Sequence, residues 1–304
     1  MAEVITHPRT FEFSALDIAA QPHPEKCYEK LFKTATKLKL RIKILGQEWG
    51  QLSRLRWEKD ENGNVISISG DIYRFTNIDQ NAAWFDRDKG EEADDSLLKE
   101  VSIPKSLSPN TKIIHWYFTI ENHILVFVSK NGKATLSAKQ AEAFFARIMD
   151  AAAKEVSGVE YVDVTTCKSP DAIDKIFKKK TVSRLEIDLR KPNLDDPAEA
   201  FKKINETMEK ENSRRWTETL TANENDTLKE STRIEELLHA SRRLGSAQAI
   251  TYDESGEKEE IDTKEHPITE REVYDPNRKQ AVLSFVAGVA TTLIAAVLSG
   301  KNKK

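Results

Sequence analysis

Residues 113–132 read IIHWYFTIENHILVFVSKNG. Two apolar runs flank a polar ENH, the pattern of a β-hairpin whose strands are largely buried. Next in the chain, LSAKQAEAFFARIMDAAAKEVSG (136–158) has the spacing of a helix, with Ser137 as its N-cap and Gly158 beyond its end. VEYVDVTT (159–166) is a strand, and SPDAIDKIFKKK (169–180) a short helix capped by Ser169 with Pro170 in its first turn. TVSRLEIDLRKPN (181–193) is again a strand. From Ile113 to Pro192 the order is β-β-α-β-α-β. It predicts an α+β fold: a mixed or antiparallel sheet with helices on one face.

Upstream, FEFSALDIAA (11–20) reads as a first strand. In the helix that follows, Tyr28, Leu31, Phe32 and Ala35 share a face. Leu40, Ile42 and Ile44 alternate as in a strand. ENGN (61–64) is a hairpin turn, and Gly70 marks a bulge in the strand after it. Residues 77–101 are acidic, carry the pair Trp84–Phe85 and lack a period, as a long loop does. Downstream, residues 196–220 and 227–247 read as two charged helices forming a hairpin, and 247–263 as a late strand pair. KEHPITEREVYDPNRK (264–279) reads as a polar tether. The expected organisation is a β-rich part over 1–110, an α+β part with the helical hairpin over 111–265, a tether over 266–280 and a transmembrane helix over 281–300.

That last segment, AVLSFVAGVATTLIAAVLSG, has no charge across 20 residues. As a helix it spans about 30 Å, the thickness of a hydrocarbon core. Its hydroxyls can bond back to carbonyls of the preceding turn. Ser284, Gly288, Thr292, Ala296 and Gly300 form a small-residue stripe suited to close helix–helix packing. Leu283, Phe285, Val286, Val289, Leu293, Ile294, Val297 and Leu298 form the sides suited to lipid. A buried core helix is the competing reading. The expectation is a single-pass anchor in the inner (cytoplasmic) membrane, body in the cytoplasm, that self-associates through the stripe. The three lysines after residue 300 run against the positive-inside rule, so a helix that inserts only on a signal is also consistent.

The chain has 304 residues with 47 bases, 50 acids and a formal charge of −3. Five bases and no acid lie from Arg278 onward, which leaves residues 1–277 with 42 bases against 50 acids, about −8. A body that acidic excludes a general phosphate-backbone binder. Cys27 and Cys167 read as reduced thiols, and His and Cys do not cluster at metal-ligand spacing, so neither metal nor cofactor is expected. The first 21 residues lack the basic and apolar regions of a secretory signal.

GDIYRFTNID (70–79) leading to WFD (84–86), IPKSLSPNTKIIHWYF (103–118), NHILVF (122–127) and VSRLEIDLRKPN (182–193) together resemble a large bacterial family known as a domain of unknown function, the one numbered 4747. The resemblance covers most of residues 10–265 and not the tail, and it transfers no catalytic residue. It implies a role in anti-phage defence, because members of such families often lie among phage-defence genes. The order of the later elements more loosely resembles the phage exclusion protein RexA, which binds nucleic acid and is paired with a membrane effector.

Three sets of residues are candidate sites. Asp163, Glu186 and Asp188 are a donor set suited to Mg²⁺ in a nuclease; Glu186, Asp188 and Arg190 share a strand face, and a solvated face is the competing reading. Lys178, Lys179, Lys180 and Arg184, with Arg214, Arg215 and Trp216, are basic clusters that could grip phosphates or stack a base. His115 and His123 flank the hairpin and would lie near each other if its turn is tight. No Gly-rich phosphate loop, Walker motif or serine elbow occurs. The reading is an anti-phage sensor or effector, anchored in the membrane and oligomeric. Its expected partners are a phage-derived trigger or nucleic acid and a second defence protein. The alternatives are a nucleic-acid-binding module and a metal-dependent nuclease.

Overall fold

The structure is a computed structural model that describes residues 7–299 apart from 80, 81, 100, 102, 105, 133, 179, 180, 194–198 and 279. Its strands are β1 (Arg9–Gln21), β2 (Ile42–Leu45), β3 (Glu48–Lys59), β4 (Val65–Thr76), β5 (Phe85–Asp86), β6 (Glu91–Glu92), β7 (Lys112–Thr119), β8 (Ile124–Lys130), β9 (Tyr161–Thr166), β10 (Thr181–Arg190), β11 (Arg215–Thr221), β12 (Gly245–Tyr252), β13 (Lys258–Asp262) and β14 (Thr269–Tyr274). Its α-helices are α1 (Cys27–Lys37), α2 (Asp95–Leu98), α3 (Ala138–Ala153), α4 (Pro170–Asp174), α5 (Glu199–Lys210), α6 (Thr232–Leu244) and α7 (Val282–Ser299). The fold is α+β, and its paired strands run antiparallel.

The larger sheet runs β14-β1-β8-β7-β4-β3-β2, with β9 also on β1. The 13-residue β1 holds it together: β14 pairs with its first half and β9 with its second. Alternation gives β1 two buried faces. Leu16, Ile18 and Ala20 join the core under α1 and α3. Phe11, Phe13 and Ala15 join a second core under α7. Helices therefore cover both faces of this sheet rather than one, and α7 is the cover on the far side. The smaller sheet runs β11-β10-β12-β13 and buries Leu185, Ile187 and Leu189 against α5 and α6.

Local signals account for much of this. Ser137 and Gln140 make a reciprocal capping box at α3. Gly63 supplies the positive φ (84°) in the β3–β4 turn. Pro170 opens α4, although the Ser169 side chain makes no capping bond.

Three expectations need correction. Gly70 lies opposite a bulge rather than forming one: it pairs in register with Trp116 on β7, and a Cβ there would lie 2.6 Å from the indole Cζ2. The absent side chain makes room for a fully buried Trp116 stacked on Phe32, and the bulge is on β3, where Arg54 and Leu55 face Gly70, with a second irregularity between Glu58 and Lys59. The two charged helices do lie together, joined by Lys203–Glu236, but they are not a simple hairpin. Arg215–Thr221 between them is the edge strand β11, whose Trp216, Glu218 and Leu220 point inward. Thr269–Tyr274, read as tether, is the edge strand β14; its alternating charges are those of a strand with one open side.

Candidate functional site

A cleft of about 440 Å³ opens between the two sheets. One wall is the start of α3 and the end of β9, and the other is the β10–β12 pair with the connector before β14. Gly245 lets those two strands meet closely: a Cβ there would fall 1.8 Å from the Asp188 carbonyl oxygen. Lys168 sits at the joint. Its N–H donates to the Arg242 carbonyl at 2.8 Å, and the neighbouring Ser169 N–H donates to the His266 carbonyl at 2.8 Å. The backbone is thus clamped between α6 and the connector.

The Lys168 side chain is 4% exposed and lines the cleft. Its Nζ donates to the Thr166 carbonyl at 2.5 Å. Burial lowers its pKa to about 8, against the pull of Glu142 and with a push from Lys264. Glu142 is held by the N–H and hydroxyl of Thr166, at 2.7 and 2.6 Å. Burial pushes the adjacent Cys167 thiol up to about 12, which keeps it a thiol.

The three metal candidates are each paired with one of the arginines read as phosphate-binding. Asp163 accepts from Arg214 at 2.8 Å, and that guanidinium lies 3.9 Å from the centre of the Tyr161 ring. Asp188 accepts two bonds from Arg215, at 2.5 and 3.0 Å. Glu186 accepts from Arg184 at 3.1 Å on the open face of the small sheet. Asp163 belongs to the larger sheet and the other two acids to the smaller. Among the described residues no group of three or more His, Cys, Asp or Glu converges to hold a metal. Trp216 packs half-buried against the core of the small sheet. Lys178 is exposed, and Lys179 and Lys180 lie outside the described residues.

His115 and His123 do not meet. His123 is fully buried at the hairpin turn, with its ring 5.1 Å from Tyr28 and 5.3 Å from His23. His115 instead lies opposite Asp71 on β4, with Nδ1 2.7 Å from a carboxylate oxygen. Burial works against ionisation of Asp71, yet hydrogen bonds and charge from His115 and Arg56 outweigh it and hold its pKa below the ordinary value. The β4–β7 register makes this pair. Asp71 and His115 lie in two of the stretches that carry the family resemblance, but nothing in those stretches marks them as a pair; Lys168 stands in an unremarkable TCKSP, and its enclosure comes from α6 and the connector, far along the chain.

Among the described residues α7 is the one helix long and apolar enough to cross a membrane, by length and composition. A third of it is buried in the protein. Val286, Val289, Ala290, Leu293, Ile294 and Val297 face the sheet, and Phe285 meets Phe11 and Phe13 edge-on. Most of the large residues expected to face lipid are thus the docked ones; Leu298 is exposed and Leu283 half-buried. Ser284 and Gly288 of the small stripe are exposed, Thr292 and Ala296 half-buried, and Gly300 lies outside the described residues. Thr291, Thr292 and Ser299 hydroxyls do donate to carbonyls of the preceding turn.

Among curated proteins no match to the chain is found. A family model does match, and it extends past the tether into α7, so the first part of the tail lies inside the match rather than beyond it. With residues 9–288 matched, the chain belongs to the family described as Domain of unknown function (DUF4747).

Proposed function

We propose that this chain is a bacterial anti-phage defence protein that acts at the inner membrane on a signal. In the resting state its C-terminal helix is stored on the larger sheet; on infection the helix passes into the bilayer, and copies assemble through the small-residue stripe. The observation that carries the reading is the double character of α7. It meets the length and apolarity of a span, yet its bulky face is docked and its exposed face holds Ser284 and Gly288. Docking is the better resting place because withdrawal would bare Phe11, Phe13 and Val126 to water. Release therefore needs a trigger and a new cover for that face. The defence setting is supported by the family resemblance.

Fractionation of cells before and after phage challenge tests this. The full chain is expected to move from the soluble to the membrane fraction, and a chain lacking residues 282–304 to stay out of it. A Gly288→Ile variant separates insertion from assembly. No atom lies within 4 Å of a Cβ at that position, so the docked fold accommodates the substitution. It should still reach the membrane but lose cross-linked oligomers. A full chain that remains soluble and monodisperse throughout infection overturns the proposal.

A further inference from the structure

We infer that the cleft between the two sheets binds a small organic anion, bearing a carboxylate or a phosphate, with Lys168 as its buried contact. The inference is independent of the role given to α7.

An ammonium carries three donors. Among the described residues the Lys168 ammonium makes one hydrogen bond, to the Thr166 carbonyl, and no ion pair. A cation enclosed this far normally has a carboxylate partner or gives up its proton. Three acids line the cleft, Glu142, Asp188 and Glu265, and none of them forms an ion pair with Lys168 among the described residues. Asp188 is held by both arms of Arg215, and one oxygen of Glu142 is held twice by Thr166. Two donors of Lys168 are therefore left for whatever enters.

Three further cations share the lining with the exposed Glu265. Lys139 from α3, Arg190 from β10 and Lys264 from the connector border the cleft. None of the three is paired with an acid among the described residues, in a chain whose other arginines are mostly tied to carboxylates, as Arg184, Arg214, Arg215 and Arg233 are. Unspent cations gathered around one cavity, in an acidic body, set up a local field for an anion. The volume of about 440 Å³ fits a metabolite of mononucleotide size or smaller and excludes a polymer. Val164 and Pro267 add apolar wall for an organic part.

The charged or titratable groups acting on Lys168 are Glu142 of α3, Asp17 of β1, Cys167 beside it and Lys264 of the connector. Asp17 is itself paired with Arg243. An anion placed against Lys168 adds the missing counter-charge, so binding draws a proton onto the amine where the free protein has begun to lose it, near pH 8 and above.

Isothermal titration of the full chain with inorganic phosphate, succinate and adenosine monophosphate tests this, in two buffers of different ionisation enthalpy. The expected result is saturable binding of at least one probe, with proton uptake at pH 8.5 and little at pH 6.5. The Lys168→Met variant should lose at least tenfold in affinity, and Lys264→Ala, an exposed change, a few-fold. Phosphate and succinate distinguish the two headgroups, and the nucleotide tests the size of the cavity. Failure of all three probes to saturate overturns the proposal. So does binding whose affinity is unchanged in Lys168→Met. Should that variant fail to fold, binding without proton uptake in the unaltered chain overturns it equally.

Discussion

At Lys168 the fold keeps an ammonium out of water, and the cost has a sign that can be measured. The unfolded chain holds this proton to about pH 10.5, while the folded protein releases it near 8. Between those values the unfolded state binds more protons, so this residue's contribution makes stability rise with pH; below pH 8 both states are charged and the full penalty stands. At about 1.4 kcal/mol per unit the penalty is roughly 3 kcal/mol. Lys168→Met should therefore raise the urea midpoint at pH 7, and its advantage over the unaltered chain should shrink as pH climbs from 8 to 10. An advantage independent of pH would mean that the amine is better solvated than its 4% exposure implies. Asp71 shows the opposite outcome of burial. It is as enclosed as Lys168, but His115 and Arg56 supply what the carboxylate lost in water, so it stays charged.

Between elements, the joint that matters most is Asp17 of β1 with Arg243 of α6. The guanidinium donates to Asp17 at 2.9 Å and to the Asn122 carbonyl at 3.2 Å, and lies 4.9 Å from the centre of the Phe201 ring. One side chain thus ties the larger sheet, the β7–β8 turn and the helices of the smaller sheet. Both partners are buried, so removing one deprives the other of its opposite charge in a site shielded from water. Arg243→Met should cost about 3–5 kcal/mol in urea unfolding, and Asp17→Asn combined with it should recover part of that. A double variant that adds the two single losses in full would show that the pair is not coupled. The same joint fixes the cleft, because Arg242 next to it holds the backbone of Lys168.

For the molecule as a whole, the larger sheet is a central layer, with α1 and α3 on one face and α7 on the other. Burying a large aliphatic side chain contributes about 1.5–3 kcal/mol, and α7 places Val286, Val289, Leu293, Ile294 and Val297 on the sheet. Ending the chain at residue 281 should therefore raise the fluorescence of an apolar dye and produce oligomers by light scattering, since Phe11, Phe13, Val126 and Val128 lose their cover. A truncated chain that stays monomeric with unaltered melting would show that the docking contributes little.

Elements whose cause is local were legible in the chain itself. The capping box of α3, the turn at Gly63, the alternation of Leu185, Ile187 and Leu189, and the unbroken apolar run of α7 depend on residues within one or two turns of each other. β11 and β14 were not, because a charged edge strand and a polar helix or linker have the same composition; only a neighbour's open edge distinguishes them. The candidate site was hardly legible at all. Asp17 and Arg243 are 226 residues apart, and Asp71 and His115 are 44. Such pairs are set by strand register and by how the sheets meet, and neither leaves a periodic trace. The amino-acid order sufficed to make α7 a helix long and apolar enough to cross a membrane. That it lies with its bulky face on β1, β7 and β8 was decided by the tertiary fold, which offers that face an apolar surface closer at hand than any membrane.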